Sequence, residues 1–247
     1  MCTMVSRRVG GRLLAGLCGV LGLNHIAGAK FASAASCAES ALPKDIVGVR
    51  IPDSDLARAA VMLAQTESQP FLFNHCIRTF VLAGLYARRN AWQYDEELVF
   101  VSSALHDLGL LEKYESANMR FEEAGASYAQ FFVVRGGYSP DQADRVWKGI
   151  AWHAGRAGPD TAPDIRLIQE GARLDVFGNG DFGQIVTPEV RTAILAAFPR
   201  CGFKFAFKAA LAAHALRQPA QANWTAQFAQ EPPSDMVRAV LDSPWPE

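Results

Sequence analysis

The stretch ALHDLGLL, residues 104–111, ends a long apolar segment with two adjacent polar side chains, His106 and Asp107. The preceding residues, from Glu96 onward, are apolar on nearly all sides of a helix, which is typical of a helix buried at the centre of a fold. Leucine would pack better than either polar residue at such a position. A histidine beside a carboxylate can form a hydrogen-bonded helix end, or the pair can bind a metal ion. The rest of the chain has to separate these two possibilities.

Helical patterns continue on both sides of this stretch and are interrupted by glycine and proline. They predict helices over residues 54–65, 70–89, 96–108, 121–135, 140–153, 163–177 and 203–217, with another that opens at Thr187. No segment shows sustained strand-like alternation, and no repeat of fixed period occurs. We therefore predict an all-α fold whose main domain covers residues 54–230, with irregular segments over 36–53 and 231–247.

The composition excludes several classes of partner. Half of the 247 residues are apolar, 20% are charged, and the formal net charge is -1. Such a chain can bury a full core, but it lacks the basic surface that binds nucleic acid or anionic membranes. We therefore expect small molecules or other proteins as partners, with a small-molecule substrate, and no stable membrane span in the mature chain.

The first 35 residues have the anatomy of an export signal. A basic start with Arg7 and Arg8 precedes a short apolar run over residues 13–23, and Ala32-Ser33-Ala34 offers a cleavage site. The run is too short to span a bilayer comfortably. We expect export to the periplasm by a Sec or twin-arginine route, and a cytoplasmic protein if this leader is not a signal.

Further polar residues lie on apolar helix faces. Ile165, Ile168, Ala172 and Asp175 share one face, so the aspartate points into the core. An unpaired carboxylate there would cost several kcal/mol, so something must neutralise it. A divalent cation would do so if it were shared with other core-facing ligands.

Histidines supply the other candidate ligands. His75 lies amid apolar neighbours in the helix predicted over residues 70–89, and His153 shares a face with Val146 and Ile150. A single histidine on such a face is more often a hydrogen-bonded core residue than a ligand. Three of them, together with Asp107 and Asp175, form a more specific pattern.

The segments NHCIR (74–78), ALHDLG (104–109) and GARLD (171–175) resemble the H…HD…D signature of the HD-domain superfamily of metal-dependent hydrolases. The resemblance implies a helical bundle with a metal in its core, bound by His75, His106, Asp107 and Asp175. Segments 120–132, 146–155 and 217–229 look most like the cyanamide hydratase branch of that superfamily. Residues 154–160, AGRAGPD, depart from the sequence pattern of that branch.

A site of this kind would bind zinc, iron or manganese and lower the pKa of a bound water. We expect Asp107 to accept a proton from that water. His153 is a candidate proton donor and, less favoured, a fifth ligand. Arg78 could contact a ligand carboxylate or a substrate anion, and Glu122 could contact the substrate. Both also have ordinary structural explanations, as a surface arginine and as a first-turn carboxylate.

The predicted function is the addition of metal-activated water to a small nitrile such as cyanamide, by a hydro-lyase or hydrolase. One alternative is a phosphohydrolase, for which the candidate cations are Arg78, Lys113, Lys148 and Arg173. Another is a binding module without catalysis. The aromatic residues near the predicted ligands could line a pocket, although packing in the core is their commoner role; they are Phe71, Phe73, Phe80, Trp147 and Trp152.

Overall fold

The structure, a computed structural model, describes residues 42–247. The predicted export signal and its cleavage site lie outside the described residues. Within them, helices dominate and the only sheet has two strands, so the prediction of an all-α fold is confirmed. The α-helices are α1 (Asp55–Glu67), α2 (Pro70–Arg89), α3 (Glu96–Leu105), α4 (Phe121–Arg135), α5 (Pro140–Trp152), α6 (Pro163–Val176), α7 (Phe182–Ile185), α8 (Pro188–Ala197), α9 (Phe203–Arg217) and α10 (Asp235–Leu241).

Local sequence signals set several helix starts. Ser139 caps α5 in a capping box with Gln142, and Pro140 occupies the first turn, where its missing N–H is not needed. Ser54 and Thr187 cap α1 and α8 through their hydroxyl oxygens. These starts agree with the helices predicted from the sequence.

Two segments predicted to be irregular contain short regular elements. Strands β1 (Asp45–Ile46) and β2 (Val49–Arg50) form a small antiparallel hairpin in which Gly48 has a φ of 80°. At the other end, α10 starts at the capping residue Ser234, directly after the two prolines that suggested an irregular tail. The strands are too short to show a period, and α10 spans only two turns.

The centre of the fold is α2, in which every residue from Phe71 to Ala87 is buried. Its backbone lies close to that of α6, because Gly171 packs against the carbonyl oxygen of Thr79. A β-carbon at position 171 would lie 2.1 Å from that oxygen. Close helix contact of this kind requires glycine.

A second apolar cluster covers one side of this centre. It joins Phe71 of α2 to Phe203 and Phe207 of α9, and includes Phe228 of the 3-10 helix Asn223–Ala229. Beyond α10, Trp245 is 1% exposed and donates a hydrogen bond from Nε1 to the carbonyl of Leu174. The C-terminal part of the chain therefore packs against the helices that carry the polar residues.

No helix among residues 42–247 combines the length and the apolar character needed to cross a bilayer.

Candidate metal centre

Two elements, α2 and the C-terminal end of α3, bring three of the predicted polar residues together. His75 lies in the first half of α2, His106 is the C-terminal capping residue of α3, and Asp107 follows it. A 3-10 turn, Leu108–Leu110, then leads the chain away. Its Gly109 packs against the start of α4, where an added β-carbon would lie 1.9 Å from the carbonyl oxygen of Phe121. Glycine is therefore needed after the His-Asp pair for close backbone approach.

Three histidine nitrogens face the carboxylate of Asp107. His75 Nε2 lies 3.5 Å and His106 Nε2 lies 3.4 Å from Asp107 Oδ2. On the other side, His153 Nε2 lies 3.7 Å from Asp107 Oδ1. All four side chains are buried. These separations are longer than charge-assisted hydrogen bonds, which are about 2.7–2.9 Å.

The other ring nitrogen of each histidine has an oxygen partner. His106 Nδ1 lies 2.8 Å from the carbonyl oxygen of Ser103, and His153 Nδ1 lies 2.6 Å from that of Ile150. His75 Nδ1 lies 2.7 Å from Asp175 Oδ2. A carbonyl only accepts, so each Nδ1 facing one carries the proton and leaves a lone pair on Nε2. This is the hydrogen-bonding pattern of metal-binding histidines.

Several polar atoms of this group have no hydrogen-bond partner in the protein. Both oxygens of Asp107 and the Nε2 of His106 are buried without a hydrogen-bond partner. Burial, followed by the charge of His75, lowers the pKa of His106 to about 3. Burial and then His106 lower the pKa of His153 to about 4. Burial raises the pKa of Asp107. At neutral pH both histidines are therefore uncharged, and the lone pairs on their Nε2 atoms face the carboxyl oxygens of Asp107.

A divalent cation fits this arrangement. One ligand atom from each of His75, His106 and Asp107 lies within 4.8 Å of the others, and nitrogen with carboxylate oxygen suits zinc, iron or manganese. Two atoms bound at about 2.1 Å to one tetrahedral ion are about 3.4 Å apart. The separations around Asp107 Oδ2 have that size.

Asp175, predicted as the fourth ligand, has protein partners of its own in the structure. Arg78 donates to both of its oxygens, from Nε at 2.7 Å and from Nη2 at 2.8 Å, and Arg200 Nη1 lies 3.3 Å away. Burial acts to raise the pKa of Asp175, but the two arginines and the bond with His75 outweigh it and hold this pKa well below its usual range. Asp175 thus contacts Nδ1 of His75 and does not belong to the group formed by His75, His106 and Asp107.

These partners of Asp175 meet the need for a positive charge beside a buried carboxylate. The apolar face correctly placed Asp175 in the core, where it needed a positive partner, but that partner is a pair of arginines. Arg78 lies one turn after His75, whereas Arg200 comes from the loop between α8 and α9. No periodicity in the sequence indicated Arg200, which is 2% exposed.

Arg78 and Glu122, the predicted substrate contacts, are both buried and lie away from the cavity surface. Besides Asp175, Arg78 donates to the carbonyl of Pro199 at 3.2 Å. Glu122 accepts a hydrogen bond from Trp224 Nε1 at 2.9 Å and pairs with Arg120. The structure therefore gives both residues structural partners.

A cavity of about 310 Å³ opens onto the histidines and Asp107. None of the aromatic residues considered from the sequence lines it. The aromatic part of the wall consists instead of Phe121, Phe177, Phe207, Trp224 and Phe228. Three of these belong to the C-terminal part of the chain, and only the tertiary fold brings them to the site.

Known proteins that are similar to this chain include cyanamide hydratases. No family model matches the chain. Two cyanamide hydratases of Saccharomyces cerevisiae, DDI2 and DDI3, are each 27% identical to it over 182 residues, which are 72% of this chain and 80% of each relative. The chain is similar to cyanamide hydratases. This likeness supports a hydratase-like function, while membership of the HD superfamily stays a resemblance between motifs.

Proposed function

We propose that this protein is a metal-dependent hydratase that adds water to the carbon–nitrogen triple bond of a small nitrile. The observation that carries the proposal is the convergence of His75, His106 and His153 on Asp107 at the floor of a cavity. The similarity to cyanamide hydratases supports this reaction type.

His75, His106 and Asp107 would hold the metal, and Asp175 would position His75. A bound divalent cation supplies Lewis acidity, which lowers the pKa of a coordinated water and polarises the substrate. The locked Nδ1 partners hold the imidazole rings in place, so their Nε2 atoms need no reorganisation when a ligand binds.

The proton path uses Asp107 and His153. Asp107 Oδ1 accepts a proton from the attacking water, and His153 Nε2, 3.7 Å away, receives it and delivers it to the substrate nitrogen. For cyanamide, the triple bond becomes a C–N single bond, the carbon gains a C=O bond to the oxygen of the water, and both hydrogens of the water end on nitrogen, which gives urea.

The phosphohydrolase alternative finds little support in the charges. All four candidate cations already have acidic partners: Arg78 with Asp175, Lys113 with Glu67, Lys148 with Asp144, and Arg173 with Glu170. Phosphate transfer requires cations that face the substrate. Among residues 42–247, the cavity wall offers no such uncommitted group.

Urea formation from cyanamide tests the proposal. The purified chain would be loaded in turn with zinc, ferrous iron and manganese, and metal content measured beside turnover. We expect turnover with at least one metal, and loss of both metal and turnover in His106→Ala. His214→Asn, which changes a buried histidine outside the cavity, should keep the metal. Tight metal binding without hydration of any nitrile would leave the binding-module alternative.

We also propose that the protein is exported, which rests on residues 1–35 alone. Expression in a Gram-negative host should give periplasmic protein whose N-terminus follows Ala34. Cytoplasmic protein that retains Met1 would contradict the proposal.

A further inference from the structure

The cavity wall carries information about the substrate beyond the reaction type. Apart from the histidines and Asp107, most of the residues that line it are apolar, including Phe121, Val176, Phe207, Trp224, Phe228 and Met236. Binding sites of this composition take largely apolar ligands, with a few polar groups to fix orientation.

The two long polar side chains of the wall are engaged elsewhere. Arg173 donates twice to Glu170, at 2.9 and 2.8 Å, and also to Asn179. Gln169 uses both ends of its amide on the backbone of Ala157. Neither group is free to bind a charged substituent, so the part of the substrate away from the metal has to be neutral.

The cavity is also large for cyanamide. Its volume of about 310 Å³ lies at the lower end of the range of about 300–1,000 Å³ for sites that bind drug-sized ligands. Cyanamide, with only three non-hydrogen atoms, would leave most of the wall uncovered and makes too few contacts for tight binding.

We propose, resting on the hydratase function above, that the preferred substrates are neutral nitriles that carry a compact apolar substituent, converted to the corresponding amides. The nitrile carbon gains the oxygen of water, the triple bond becomes a C=O bond and a C–N single bond, and both hydrogens of the water end on nitrogen. The substituent occupies the aromatic wall, and the C≡N group points at Asp107 and the histidines.

A substrate series tests this. The metal-loaded protein would be assayed with cyanamide, acetonitrile, isobutyronitrile and benzonitrile. We expect kcat/KM to rise about fourfold for each methylene buried against the wall, with benzonitrile above cyanamide. Turnover of cyanamide with no gain along the series would overturn the inference and leave the proposed function intact.

Product binding gives a readout that does not depend on turnover. By calorimetry, benzamide should bind the protein at least tenfold more tightly than urea, with or without metal. Equal or weaker binding of benzamide would overturn the inference. Failure of the whole series, cyanamide included, would overturn the proposed function, and with it the nitrile part of the inference.

A matched pair of variants locates the effect. Met236→Gln keeps the length of a wall residue but makes it polar, and should lower the ratio of kcat/KM for benzonitrile to that for cyanamide about fivefold. Met62→Gln makes the same change on the surface, where Met62 is 66% exposed, and should leave the ratio unchanged. If Met236→Gln does not fold, Val176→Thr places a hydroxyl in the same wall. An unchanged ratio in a folded wall variant would contradict the inference.

Discussion

At the scale of single residues, two buried arginines, Arg78 and Arg200, share the carboxylate of Asp175, which also contacts His75. Removing one partner of a buried charge network leaves the others uncompensated, which is far more costly than losing an exposed ion pair. Asp175 thus contributes to the stability of the core as well as to the position of His75.

Asp175→Asn should lower the free energy of unfolding by about 3–5 kcal/mol, because Arg78 and Arg200 would lose their shared counter-charge. Asp144→Asn is the matched control. It removes a carboxylate that is 49% exposed and paired with Lys148, and should cost about 0–1 kcal/mol. Urea unfolding of the metal-free proteins measures both. Equal costs would show that the buried network adds nothing to stability.

At the scale of helices, the close approach of α2 and α6 controls the geometry of the site. Gly171 lies one turn before Asp175, and Thr79 lies one turn after His75. A side chain at position 171 would therefore push apart the two helices whose residues share the 2.7 Å hydrogen bond between His75 and Asp175.

Gly171→Ala should destabilise the protein by more than about 1 kcal/mol and weaken metal affinity, because backbone atoms of α2 cannot move aside easily. Gly183→Ala, in α7, is the control: nothing lies within 4 Å of its added β-carbon, and alanine favours the helix by up to about 1 kcal/mol. Thermal unfolding and metal titration report the two effects. A Gly171→Ala protein as stable as the control would argue against the close contact.

A second helix-scale feature is the anchoring of α9 by Glu115. This carboxylate accepts hydrogen bonds from His214, Arg217 and Gln218. Burial acts to raise the pKa of Glu115, but these hydrogen bonds outweigh it and lower the pKa below its ordinary value of 4.5. The stabilisation is therefore present above pH 4.5 and lost as the pH falls through the lowered value.

Glu115→Gln should lower the free energy of unfolding at pH 7 by about 1–3 kcal/mol. The difference in unfolding free energy between the two proteins should shrink as the pH falls below 4.5. Only the unaltered protein has the carboxylate of Glu115, which becomes protonated in that range. Urea unfolding between pH 7 and pH 3.5 measures this. A difference that stays constant over this range would exclude the charge of Glu115 as its cause.

The sequence predicts the positions of the helices better than it predicts the contacts within the site. The capping box at Ser139 and the apolar faces indicate where helices begin and what they bury, and they place Asp175 in the core. They do not indicate what meets Asp175 there, because Arg200 lies in a loop without periodicity. The sequence did not predict Trp224 and Phe228 in the cavity wall for the same reason, because they lie in a short 3-10 helix without a periodic pattern.

At the scale of the whole molecule, a metal that binds only the folded state stabilises it. At a free metal concentration of one hundred times Kd, the gain is about 2.7 kcal/mol, which corresponds to roughly 5–10 °C in Tm for a chain of this size. A chelator should lower the Tm of the metal-loaded protein by that amount, with no effect on His106→Ala. An unchanged Tm after verified metal removal would count against the buried site.

The residues around Asp107 and a large part of the cavity wall come from different stretches of the chain. The residues that face Asp107 come from positions 75–153, whereas Phe207, Trp224, Phe228 and Met236 of the cavity wall come from positions 207–236. Mutations in the later stretch would change the cavity wall, and with it the substrate range proposed above, without altering the residues that face Asp107. Related proteins that share the residues around Asp107 can therefore differ in substrate. A mutant library restricted to the C-terminal third is the natural starting point for directed evolution of substrate preference.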